Sequence, residues 1–141
     1  MGVDLGAVRI GVAVSDQTGT IASPCDTVVR SGDPRRDREA LASIATEWGV
    51  NRVVVGVPVS LDGRERAPAR AAREEAVRIA EATGLAVETW DERLTTVVAG
   101  NALAQGGSRG RQRRAKIDAS AAAVMLQGWL DAHPAITEEA R

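Results

Sequence analysis

The order of apolar runs along the chain predicts an α/β fold. A mixed five-stranded sheet, three antiparallel strands joined to two parallel ones, carries helices on both faces. Three observations lead there. The first 30 residues hold three strand-like stretches joined by short turns, which implies antiparallel pairing. Two later apolar runs each follow a helical pattern, which implies right-handed parallel crossovers. No internal repeat or linker interrupts the 141 residues, so 1–141 reads as one domain, long enough for a sizeable core.

The elements follow in order. Residues 1–5 and 8–15 read as strands separated by Gly6-Ala7, with Ile10, Val12 and Val14 alternating toward one face. Asp16-Gln17-Thr18-Gly19 reads as a turn, and 20–30 as a third strand interrupted at Pro24. Asp33-Pro34 opens a helix with proline at its first position. Its buried stripe is expected at Leu41, Ile44, Ala45 and Trp48, with Gly49 as its stop. Arg52-Val53-Val54-Val55-Gly56-Val57 is continuously apolar after its first residue, the mark of a central strand covered on both faces, and Pro58 stops it. A helix over 67–83 ends at Gly84, and 85–90 is the fifth strand. Helices over 95–104 and 115–132 complete the chain, the last ended by Pro134. The ends of the first and fourth strands then lie side by side at the sheet's centre, where Asp4 and the Asp91-Glu92 pair would meet. This architecture is that of the ribonuclease H-like fold.

Composition excludes several chemistries. Cys25 is the only cysteine, which rules out an internal disulfide and a cysteine-rich zinc site and fits a reducing compartment. Cys25 and the three tryptophans read as core. His133 is the only histidine, so histidine triads and histidine-ligated zinc are poor candidates. No apolar run reaches about 18 residues, so no membrane span is expected. The opening Met1-Gly2-Val3-Asp4 has neither a basic leader nor an apolar signal core, and a cytoplasmic location is expected.

Acidic residues carry the functional signal. Asp4 lies inside an apolar strand, Glu92 directly after one, and Asp118 at the front of an alanine-rich helix whose Ile117, Ala121, Val124 and Met125 are expected to face the core. Carboxylates in apolar elements cost free energy unless a cation or hydrogen bonds compensate them. Three of them, far apart in sequence, point to one shared Mg²⁺ site, because hard divalent cations draw oxygen ligands from scattered elements. Either member of the Asp91-Glu92 pair could also cap the following helix, and spacing alone does not choose between them. The formal net charge is −1, yet Arg109, Arg111, Arg113, Arg114 and Lys116 form a basic stripe, the footprint of phosphate contact. With no Phe and no Tyr in the chain, base stacking on an aromatic platform is not the expected recognition mode.

Gly2-Val3-Asp4-Leu5-Gly6 with Arg9-Ile10-Gly11-Val12-Ala13 and Asp16, Val55-Gly56-Val57-Pro58 with Asp62-Gly63, Asp91-Glu92-Arg93-Leu94-Thr95-Thr96, and Asp118-Ala119-Ser120-Ala121-Ala122 with Leu126-Gln127 together resemble one family. It is the YqgF/RuvX family of bacterial ribonuclease H-like proteins, nucleases associated with pre-16S ribosomal RNA maturation and with Holliday-junction resolution. Family members carry several residues before the first strand, whereas Asp4 here stands almost at the start. The resemblance implies a divalent-metal-dependent nuclease, a hydrolase acting on ester bonds, that processes the 5′ end of pre-16S rRNA in ribosome biogenesis. Its alternatives are a resolvase of branched DNA and a non-catalytic nucleic-acid-binding factor. It favours Glu92 over Asp91 and makes Asp4, Glu92 and Asp118 the catalytic ligands of Mg²⁺ or Mn²⁺. Arg9, Arg93, Thr95, Thr96 and the stripe from Arg109 to Lys116 would then hold substrate phosphates. The implied partner is structured RNA or branched DNA, with the protein a monomer or homodimer. Actin-like sugar kinases and ATPases share the Asp4-Leu5-Gly6 turn, but they close two such domains on a nucleotide and this chain has the length of one.

Overall fold

The computed structural model of the protein describes residues 1–94 and 110–134, with 110–116 described as helical backbone. Its strands are β1 (Gly2–Leu5), β2 (Arg9–Ser15), β3 (Ala22–Val29), β4 (Arg52–Val57) and β5 (Ala86–Asp91). The helices are α1 (Pro34–Glu47), α2 (Ala67–Thr83) and α3 (Gly110–Ala132), and Glu92–Leu94 forms a 3₁₀ turn. One sheet holds all five strands in the order β3-β2-β1-β4-β5. β1, β2 and β3 pair antiparallel, while β1–β4 and β4–β5 pair parallel. The ends of β1 and β4 are adjacent, as the apolar pattern implied. No helix among the described residues is long and apolar enough to cross a membrane.

Strand periodicity sorts the core into two layers. Val3, Ile10, Val12, Val14, Val53 and Val55 point to one face and pack with Leu41 and Ile44 of α1 and Ile79 of α2. The other face presents small residues. Ala13 and Val54 lie there under Ala122, Leu126, Trp129 and Leu130 of α3. β4 is buried along both faces, which explains its unbroken apolar run. The interruption expected at Pro24 takes the form of a bulge: Val12 pairs with Asp26 and Ala13 with Pro24, so Cys25 is the extra residue, and the edge strand β3 runs on past it. Helix ends follow local chemistry. The Asp33 side chain accepts from the Arg35 backbone N–H at the start of α1. Gly84 takes the left-handed conformation that closes α2, at φ 70°.

Four expectations need correction. Trp48 is not in the buried stripe of α1: it is the C-cap residue and is 56% exposed. Past the last turn the helical stripe no longer holds, so the ring leaves the core. α3 starts at Gly110 rather than near residue 115, since the Arg, Gln and Ala residues after that glycine are sound helix formers. Its core face includes Ala119, Ala122, Met125, Leu126 and Trp129, while Ala121 is exposed. β3 covers Ala22–Val29 rather than 20–30, because the Asp16 side chain ties Thr20 and Ile21 N–H groups into the turn. The helix expected over 95–104 lies outside the described residues.

The small face lets α3 approach the sheet by backbone contact. A Cβ on Gly11 would stand 2.1 Å from the Asp118 carbonyl oxygen, and one on Gly2 would stand 2.8 Å from Leu126 Cβ. On β4, a Cβ on Gly56 would instead stand 2.5 Å from Glu92 Oε1, the far end of a flexible side chain. The two sites respond differently. Gly11→Ala should destabilise the protein by about 3 kcal/mol, the upper range for overpacking, because helix backbone must move. Gly56→Ala should cost under about 1.5 kcal/mol and displace Glu92 instead. Urea denaturation of the two variants checks this, and equal losses would contradict the backbone contact at Gly11.

Candidate active site

Asp4 lies in β1 on the α3 face, two residues beyond Gly2. Gly11 of β2 is its paired residue. On the other side, Val3 pairs with Val55, so Gly56 follows beside Asp4. The half-buried Asp4 carboxyl is thus flanked by two residues without side chains, and the space above each is taken by another element. Over Gly11 runs the α3 backbone at Asp118; over Gly56 lies the side chain of Glu92.

Strand parity assigns the Asp91-Glu92 pair. Val87, Thr89 and Asp91 alternate toward the α1–α2 face, where Val87 joins the core and Thr89 Oγ1 accepts from Arg73 Nη1. Glu88 and Trp90 alternate toward α3, where Glu88 Oε2 accepts from Trp129 Nε1 at 2.9 Å. Glu92 continues that second series. Asp91 is taken up by Arg93: its Oδ1 accepts the Arg93 backbone N–H at 2.9 Å and its Oδ2 accepts Nη2 at 2.6 Å. That guanidinium holds the Asp91 carboxyl below its ordinary range.

The Glu92 carboxyl lies within hydrogen-bonding reach of the Asp4 carboxyl. Burial and the neighbouring Asp4 charge push the Glu92 pKa up to about 7. Asp4 is also raised, by burial and by the charge of Asp118, with the Glu92 hydrogen bond acting in the opposite direction. Like charges that meet in a partly desolvated place favour keeping one proton between them. Asp118 is close enough for its charge to act on Asp4 but is turned to Arg9, whose Nε donates to its Oδ2 at 2.7 Å. Among the described residues, no three His, Cys, Asp or Glu side chains converge on one metal position. The three expected ligands share one edge as a pair plus one.

The expected phosphate contacts divide likewise. Arg9 is engaged with Asp118 and Arg93 with Asp91. Positions 111, 113, 114 and 116 open α3 as helix rather than forming a loop. Thr95, Thr96 and Arg109 lie outside the described residues. Three features went unread in the sequence: the two glycines flanking Asp4, the Arg9–Asp118 pair, and the Arg73 bridge to Glu65 and Thr89. The glycines alone left a signal there, as side-chain-free positions inside strands beside an acidic one. A cavity of about 620 Å³ opens at the opposite end of the sheet, lined by Met1, Asp16, Trp48, Arg52 and Trp129. It lies away from the carboxyl pair.

The shared proton has a measurable consequence. In the folded protein Glu92 keeps its proton to about pH 7, whereas the unfolded chain releases it near the ordinary value of 4.5. Between those values the folded state binds more protons, so its stability falls as pH rises. In metal-free buffer the stability of the native protein relative to Glu92→Gln should therefore decline from pH 4.5 to pH 7 and level off above. Chemical denaturation across this range reads it directly. Parallel profiles would mean that Glu92 does not hold the proton.

Comparison with known proteins identifies the family. Residues 1–132 match the family model described as "RuvX: Holliday junction resolvase". A protein of Anaeromyxobacter dehalogenans named "Putative pre-16S rRNA nuclease" is 47% identical over 131 residues, covering 93% of this chain and 95% of that protein. One of the same name from Myxococcus xanthus is 47% identical over 133 residues, covering 94% and 87%. Among solved structures, Thermus thermophilus RuvC in complex with a Holliday junction substrate aligns with a TM-score of 0.54 at 13% identity, over 94% of both chains, which supports the ribonuclease H-like fold. With the family model spanning nearly the whole chain and the carboxyl-bearing edge in place, the protein belongs to the RuvX family.

Proposed function

We propose that this protein is a nuclease that hydrolyses phosphodiester bonds in structured nucleic acid, with precursor 16S rRNA as its substrate. One observation supports the reading above all: Asp4 of β1 and Glu92, lying over Gly56 of β4, bring their carboxyls together at the C-terminal edge of the central strands, within the field of Asp118. Such an edge is open to a polymer, as an enclosed cavity is not. The names carried by relatives at 47% identity favour the RNA substrate. The family description favours a second reading, cleavage of a four-way DNA junction.

The donor set is all carboxylate oxygen, which suits Mg²⁺ or Mn²⁺. Asp4 and Glu92 are the residues that would hold the cation, and Asp118 would join them on exchanging its bond with Arg9. Bound there, the ion would supply the positive charge that activates water and stabilises the leaving oxygen. The chain's own groups prepare that place. Gly56 leaves room for Glu92 to lie over β4, Arg9 keeps Asp118 oriented along β2, and Arg93 keeps Asp91 out of the site. Positions 111, 113, 114 and 116 of the basic stripe lie in the segment of α3 that leads into Asp118. Its cations would hold flanking phosphates.

Side-by-side cleavage of precursor 16S RNA and a synthetic four-way DNA junction, with Mg²⁺ and with Mn²⁺, tests substrate and metal together. Cleavage in both metals and none in EDTA is expected, with the RNA cut faster. Asp4→Asn, Glu92→Gln and Asp118→Asn should each lower the rate by more than about a hundredfold, beyond the loss of an outer-shell partner, with the circular dichroism spectrum unchanged. Near-normal cleavage by any one of them at saturating Mg²⁺ removes that residue from the ligand set. For the stripe, replacing Arg111, Arg113 and Arg114 together with Ala should weaken binding similarly across sequences. The log–log salt slope should shrink by roughly 0.7–0.9 for each phosphate that the variant no longer neutralises. Equal slopes for the native protein and the triple variant would place the substrate path elsewhere.

A further inference from the structure

Leu61 stands out among the apolar side chains. It is 95% exposed, more than any other large apolar residue among those described. It is also held in place. Its turn follows β4, and the Ser60 carbonyl accepts from Gly63 N–H at 2.9 Å. The Arg64 carbonyl accepts from Ser60 N–H, and the Asp62 carboxylate takes Arg64 N–H and Arg66 Nη2 at 3.0 and 2.9 Å. The turn approaches the Arg93 side chain that holds Asp91: a Cβ on Gly63 would lie 3.8 Å from Arg93 Nη1, and Arg93 follows Glu92 on the 3₁₀ turn. Arg73 ties Glu65, just beyond the turn, to Thr89 of β5. An ordered turn thus presents a leucine to solvent at the same C-terminal edge of the sheet as the Asp4–Glu92 pair, and the 3₁₀ turn that carries Glu92 exposes a second one, Leu94, at 64%.

We propose that Leu61 is a substrate-contacting wedge, which inserts between two bases of the bound nucleic acid next to the scissile phosphate and unstacks that step. The inference rests on the nucleic-acid reading above. Aliphatic side chains serve as such wedges when phosphate contacts hold the backbone around them, and exposed Arg64 and Arg66 adjoin Leu61 on its own turn. Aromatic residues cannot fill the role here. The chain has no Phe or Tyr, Trp48 caps α1 beside the cavity at the far end of the sheet, and Trp90 and Trp129 pack with His133. A wedge also explains why the exposed residue is a leucine: water gives it nothing, while a base step would bury nearly its whole side chain.

The test uses two probes carrying 2-aminopurine at each position flanking the cleavage site: a precursor 16S RNA stem with a single-stranded 5′ extension, and a four-way DNA junction. Binding is followed in EDTA by anisotropy and unstacking by 2-aminopurine fluorescence, for the native protein, Leu61→Met and Leu61→Ala. The native protein and Leu61→Met should raise the fluorescence at one position of the probe they bind. Leu61→Ala should lose most of that rise and bind about tenfold more weakly, as expected for one buried leucine side chain. An equal rise with Leu61→Ala overturns the wedge and leaves the nuclease reading standing. Binding of neither probe by the native protein overturns both. A native dimer that Leu61→Ala converts to a monomer in sedimentation, with the fluorescence rise unchanged, overturns the wedge and assigns Leu61 to self-association.

Discussion

The close approach of α3 to the sheet is the constraint on which the rest depends. Backbone meets backbone at Gly11 and Asp118, a contact that any side chain at position 11 would prevent. It fixes the helix at one height, so that Ala122 and Leu126 pack on Ala13 and Val54 farther along. It also brings an acidic residue of the last helix into the field of an acidic residue of the first strand, more than a hundred positions away in sequence. A side chain at position 11 would push the helix outward and carry Asp118 away from Asp4. The small residues of this face are thus a requirement of the site as well as of the packing.

Charge at that edge is balanced locally. Each acidic group has a defined counterpart: Arg9 for Asp118, Arg93 for Asp91, and a proton for the Asp4–Glu92 pair. Only the last counterpart is easily exchanged. A guanidinium keeps its charge throughout the accessible pH range, whereas a proton held near neutrality gives way to any cation that binds better. Under the proposed function, a cation would therefore reach Asp4 and Glu92 before Asp118. Removing Arg9 would leave the partly buried Asp118 facing Asp4 without compensation, an expensive arrangement for a charged group.

Much of this was legible in the sequence. Strand order, both parallel crossovers and the adjacency of β1 and β4 follow from apolar runs, turn residues and connection length, which are local signals. Asp4 and Glu92 were legible as carboxylates in unfavourable surroundings. Strand parity could have assigned Asp91 and Glu92 as well, since 88, 90 and 92 share a face opposite to 87, 89 and 91. That step needed the end of β5, one residue beyond the predicted strand. The Arg9–Asp118 pair was not legible, because two exposed-looking polar residues far apart in sequence carry no mark of each other. Trp48 was misplaced for a related reason: helical spacing extends one position past the point where the helix stops.

The candidate site is mounted on supports of unequal strength. Asp4 belongs to a strand hydrogen-bonded on both sides, and Asp118 to a 23-residue helix whose middle is buried against the sheet. Glu92 sits on a single 3₁₀ turn with no buried residue of its own. Amide exchange in such an arrangement is graded, slow where opening requires global unfolding and fast where it requires only the loss of one turn. Two carboxylates are fixed as firmly as the fold itself, while the third can be withdrawn and returned without disturbing it. Opening of that one short segment would therefore move Glu92 alone and leave the strands and α3 as they are.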